Sequence, residues 1–99
     1  MSGKRWNPND DEMLLAYHDA AGADFIASHD LGRPHGAGSR RLRQLDKSGA
    51  TLAYIDRELL HVDFMRRAGY WDEDEARYYR EGLQQQRNAA TLRAVKCQT

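Results

Sequence analysis

Apolar residues recur along this chain at spacings of three and four, the periodicity of helices, and glycines interrupt the pattern at intervals. The first group is Leu14, Leu15, Tyr17 and His18, with Leu14 sharing a helical face with Tyr17 or with His18. A helix start lies just ahead of it. Asn7 can cap, Pro8 suits the first helical position, and Asp10, Asp11 and Glu12 put negative charge where the helix dipole favours it. Gly22 is placed to end this helix. Asp24 then reads as the cap of a second helix, from Phe25 to about Asp30, with Phe25 and Ile26 facing inward and Gly32 closing it. A third begins at Pro34 or Gly36, with Ala37, Leu42 and Leu45 as its expected core contacts.

Residues 46–49 read as a short loop. Beyond it, Leu52, Ile55, Leu59, Val62 and Met65 or Arg66 repeat at three and four over 51–68, a stripe that widens once Leu60 and Phe64 are added. Gly69 ends this helix, and Tyr70 and Trp71 are bulky residues in the connection, of the kind that plug a core. Asp72 with Glu75 three residues later has the spacing of a capping box. Ala76, Tyr79, Leu83 and Ala90 mark a face of the last helix, which Gly82 and the run Gln84, Gln85 and Gln86 dilute. The expected organisation is therefore all-α: three helices over 1–48, two amphipathic helices over 49–88 forming a helical hairpin, and a tail over 89–99 that is either helix or frayed coil. The hairpin either packs on the first three helices or pairs two copies of the chain through residues 51–83.

Composition narrows the function. Ninety-nine residues suit one small domain. Fifteen basic and fifteen acidic residues cancel, so attraction to a polyanion must come from a local patch. No apolar run approaches the ~20 residues of a membrane span, no signal-peptide pattern is present, and the single cysteine, Cys97, has no partner for an internal disulfide. A cytoplasmic setting without membrane association is expected. Residues 31–45 supply the one local patch: Arg33, Arg40, Arg41 and Arg43, with Lys47 just beyond and only Asp46 in opposition. A short helix with an apolar edge and an arginine edge, entered through a tight turn, is what a DNA-reading helix needs.

The ordered set of features resembles the Myb/SANT type of helix-turn-helix over residues 4–46. Trp6 followed by Asn7, the acidic cluster at 10–12 and the pair Leu14 and Leu15 are similar to the opening of such a repeat. Gly22, Ala23, Asp24, Phe25, Ile26 and Ala27, then Leu31, Gly32 and Arg33, resemble its second helix and turn. Ala37, Arg41, Leu42 and Leu45 resemble its third helix. Residues 28–30 run one residue longer than the pattern, Gly38 stands where it has an apolar residue, and its later tryptophans are absent. The resemblance implies an N-terminal three-helix Myb/homeodomain-like fold whose third helix, 36–46, reads double-stranded DNA; the related SANT branch binds proteins instead.

In a DNA complex Ser39, Arg40 and Arg43 would face the bases, with arginine to guanine the commonest specific contact. Arg33 and His35 at the turn, and Lys4 and Arg5 ahead of the first helix, would meet phosphates. Arg41 falls at the core edge and is expected to pair with an acidic residue of the first helix. Chemistry finds little support. The histidines, His18, His29, His35 and His61, lack metal-ligand spacing, the carboxylate pairs are accounted for by capping, and no phosphate-binding glycine loop is present. No enzyme, cofactor or metal is expected. Two readings follow: a small DNA-binding regulator of bacterial or phage type, or a protein-interaction module, an adaptor or inhibitor, on the same helical scaffold.

Overall fold

The computed structural model describes the backbone of residues 5–98 and side chains as far as Lys96. The described residues are helical throughout their regular structure and contain no strand. They fall into two compact units, Met1–Leu45 and Asp46–Thr99.

In the first unit, α1 (Pro8–Ala21) starts where the residue chemistry places it. Asn7 Oδ1 accepts a hydrogen bond from the Asp10 N–H at 2.8 Å, and Pro8 occupies the first turn, where it removes an N–H that would have no helical partner. Gly22, at φ 92°, donates its N–H to His18 O and ends the helix. Leu14 and Leu15 are buried. α2 (Ala23–Phe25) passes directly into a π-helical segment, Ile26–Asp30, whose wider winding is shown by Leu31 N–H donating to Ile26 O five residues back. A π turn holds one more residue than an α turn and so rotates its residues onto different faces. It corrects the expectation for Phe25. Ile26 and Ala27 turn inward, whereas Phe25 is 51% exposed and stacks on His29, four residues on, with ring centroids 4.9 Å apart.

α3 (Ala37–Ser48) follows the turn at Gly36, and its Leu42 and Leu45 are buried as the pattern predicts. Gly38 has the opposite role to the one its position suggests. It is buried, and a Cβ there would overlap Ala23 O and come within 3.0 Å of the Ala27 Cβ. The missing side chain lets the first turn of α3 lie directly on the backbone of α2.

Residues 46–48 continue α3 instead of forming a loop. The break is the single residue Gly49, at φ 85°, a conformation that costs glycine little.

In the second unit, α4 (Ala50–Arg67) packs along α5 (Glu73–Gln98). Tyr54, Ile55 and Val62 of α4 and Ala76 and Ala90 of α5 are buried, while Leu60 and Phe64, added to the stripe on sequence grounds, are exposed at 69% and 57%. Between the helices Tyr70 lies in solvent and Trp71 is half-buried. The capping box is present in both directions: Asp72 Oδ1 accepts from the Glu75 N–H at 2.8 Å, and Glu75 Oε1 from the Asp72 N–H at 3.4 Å. The segment from Ala89 onward, open on sequence grounds between helix and frayed coil, is helix as far as Gln98. Its anchor is Arg93, whose Nε donates to Asp46 Oδ2 at 2.8 Å, the Asp46 side chain being almost wholly buried.

Candidate functional site

The arginines of residues 31–45 divide into two kinds. Arg33 and Arg41 turn back onto α1. Arg33 is buried, pairs with Asp10, donates from Nη2 to Arg5 O at 3.0 Å, and lies 4.0 Å over the centre of the Trp6 ring system. Arg41 makes a two-point contact with Asp11, Nε to Oδ1 and Nη2 to Oδ2, each at 2.8 Å, and donates from Nη1 to Gln44 Oε1. Its guanidinium sits 6.0 Å from the same Trp6 ring. The pairing with Asp11 pushes the Arg41 pKa up, keeping it charged at any accessible pH. Two cations flanking one indole, each held by a carboxylate from the first turn of α1, tie the start of the chain to the turn before α3 and to α3 itself. The pairing expected for Arg41 is the one found. The phosphate contact expected of Arg33 is not open to it, because its guanidinium is turned inward.

A second polar tie fixes the start of α3. The Ser39 N–H donates to Asp24 Oδ1 at 2.9 Å, so Asp24 serves the N-terminus of α3 and makes no cap for α2. That backbone hydrogen bond, followed by one from the Ser39 hydroxyl, holds the Asp24 carboxyl below its ordinary pKa, with burial opposing and the charges of His35 and Arg40 assisting. Ser39, expected at the DNA face, is half-buried and occupied by this contact.

Arg40 and Arg43 are the other kind. Three residues apart on α3, both are exposed, and neither is in an ion pair among the described residues. His35 is exposed at the turn, and Arg5 is exposed with its carbonyl engaged by Arg33. Lys4 lies outside the described residues. What the geometry brings together is therefore an exposed Arg40–Arg43 edge with His35 near its start, on a helix seated by Gly38, Asp24 and Arg41. Sequence reasoning missed Asp10 and Trp6 as the seat of Arg33. The signal available was the buried-pair arithmetic of an arginine beside a proline turn with two aspartates on α1, but spacing alone does not say which arginine meets which aspartate.

Among the described residues no three of His, Cys, Asp and Glu come together in a way that could hold a metal ion, and no helix is long and apolar enough to cross a membrane. Comparison with models of known families, with curated proteins and with solved structures gave no match.

Proposed function

We propose that this chain is a small DNA-binding protein, a transcriptional regulator of bacterial or phage type. In this reading a Myb/SANT-like helix-turn-helix over residues 4–46 presents the helix 36–46 to the major groove. One observation carries the proposal. Of the four arginines in 33–43, two lock α3 to α1 and the other two, Arg40 and Arg43, stand exposed without ion pairs on one side of the helix so held. A rigidly seated helix with two free guanidinium forks has the geometry for guanine O6 and N7, each bidentate contact being worth ~1–3 kcal/mol of discrimination. In this reading His35, with Lys4 and Arg5, meets phosphates.

The test is binding to random-sequence duplex DNA across a salt series, with Arg40→Ala/Arg43→Ala beside the native chain. Native protein should bind at low salt and weaken steeply as salt rises. The double variant should bind roughly tenfold or more weakly, with the salt slope little changed because the phosphate contacts belong to other residues. Absence of native binding at low salt would sink the reading.

A second reading, a protein-interaction module, is favoured by the exposure of Leu60, Phe64, Tyr78 and Tyr79 on α4 and α5. Sedimentation at several concentrations separates its two forms. A mass that doubles means that two copies pair, as the DNA reading also allows; a constant mass leaves a foreign partner as the occupant of these residues.

A further inference from the structure

We propose that the cleft between α4 and α5 binds a basic peptide segment of a partner protein, seating an arginine or lysine side chain against Trp71 and Tyr79. The cleft has a volume of about 660 Å³, and its lining includes Glu58, His61, Trp71, Tyr79, Glu81 and Gly82. Its wall is a run of rings in contact. Trp71 stacks on Tyr79 at 4.5 Å, His61 meets Trp71 edge-on at 6.1 Å, and Tyr78 meets Tyr79 edge-on at 5.5 Å. Indole and phenol faces carry the negative part of the ring quadrupole and attract a cation placed over them.

The charges agree with the rings. The other acidic residues of α4 and α5 are already engaged. Asp56 pairs with Arg87, Asp63 with Arg66 and Arg67, Glu73 with Arg66 and Asp74 with Arg77. Asp72 and Glu75 cap α5. Glu58 and Glu81 are in no ion pair among the described residues, and both line the cleft, whose lining contains no lysine or arginine. Two uncompensated carboxylates beside a stacked aromatic wall select a cation and repel an acidic occupant.

Gly82 adds an independent indication. It sits well inside α5, where glycine weakens a helix, yet its φ is not positive and nothing lies within 4 Å of where its Cβ would be. Neither a turn nor a close approach of backbone requires it. Its effect is to leave one side of the cleft open. The volume far exceeds what a lone guanidinium or ammonium fills, and the side-chain amides of Gln85 and Gln86 also line it, placed to hydrogen-bond the peptide groups on either side of a bound cation. A peptide fits this better than a small organic cation.

The experiment is a titration of the full ¹⁵N-labelled chain, at physiological salt, with an N-acetylated, C-amidated peptide of alternating arginine and glycine. A matching glutamate–glycine peptide serves as control. The arginine peptide should shift the Trp71 indole N–H and the backbone amides of residues 79–86, and the control should not. Glu58→Gln/Glu81→Gln should weaken binding by about tenfold or more. Gly82→Leu should abolish binding while leaving helicity intact and thermal stability equal or higher, an outcome that loss of folding could not mimic. The proposal is overturned if the shifts fall outside the cleft, if Gly82→Leu binds as tightly as the native chain, if the two peptides bind alike, or if a second copy of the chain is found to fill the cleft.

Discussion

The two units use the same charged residue types in different ways. In Met1–Leu45 the polar ties reach across long stretches of sequence, from Arg33 to Asp10, Arg41 to Asp11 and Ser39 to Asp24, and their groups are buried or half-buried. Of the ion pairs described in Asp46–Thr99, half lie within a single turn and face solvent, as in Arg67 with Asp63 or Arg77 with Asp74. Arg66 with Glu73, Arg87 with Asp56 and the buried Asp46 with Arg93 span further. The difference follows from helix length. Short helices are marginal by themselves and have little apolar face to bury, so their arrangement depends on specific ties. Helices as long as α4 and α5 meet along a repeating face and do not need their charges to set the packing. An arginine count therefore says nothing about function until each guanidinium is located.

That contrast can be broken at several points. Asp10→Ala should have the largest effect, destabilising the first unit by about 3 kcal/mol, because it removes the carboxylate facing a buried guanidinium. Asp56→Ala, which breaks the exposed pair with Arg87, should cost no more than about 0.5 kcal/mol. Urea unfolding checks both, since each unit contains one tryptophan, Trp6 or Trp71. Equal costs would erase the distinction.

Next come two glycines with opposite expected signs. Gly38→Ala should destabilise by about 2 kcal/mol, through the overlap with Ala23, despite the gain in helix propensity. Gly82→Ala, with open space around the new methyl, should stabilise by up to about 1 kcal/mol. Circular dichroism melts of the two variants read the signs directly.

The smallest effect is a pH dependence at the start of α3. The folded pKa of Asp24 is depressed below the unfolded one, so its contribution is present in full above the unfolded value, about pH 4, and is lost as pH falls through the folded value. Asp24→Asn should remove that step, narrowing the stability difference from the native chain as the solution is acidified. A difference that stays constant down to pH 2 would show that the Ser39 contact does not need the charge.

Much of the local structure was legible in the residues. Asn7, Pro8 and Gly22 bound α1, and Asp72 and Glu75 open α5, because caps act through atoms a few positions apart. Leu14, Leu42, Leu45, Ile55 and Val62 are buried where the helical spacing puts them. Expectations departed where the determining atoms are distant in sequence. Asp24 looked like a local cap and serves a helix fifteen residues on. Gly38 stood out only as a departure from an apolar residue and is a contact point. Asp46 looked like a loop residue and is buried against Arg93. Of the basic candidates, Arg40 and Arg43 are exposed and Arg33 is not, a division that spacing could not make.

The sequence by itself determined that this chain forms helices, where most of them start and stop, and that Leu14, Leu42, Leu45, Ile55 and Val62 are buried. All of that follows from interactions within a turn or two. Only the tertiary structure decided which arginines are anchors and which are free, which carboxylates are paired, and why a glycine sits in the first turn of α3. Those outcomes depend on which groups meet across α1, α2 and α3, or across α4 and α5. A charge or a missing side chain takes its meaning from the atoms it faces, and those are set by packing.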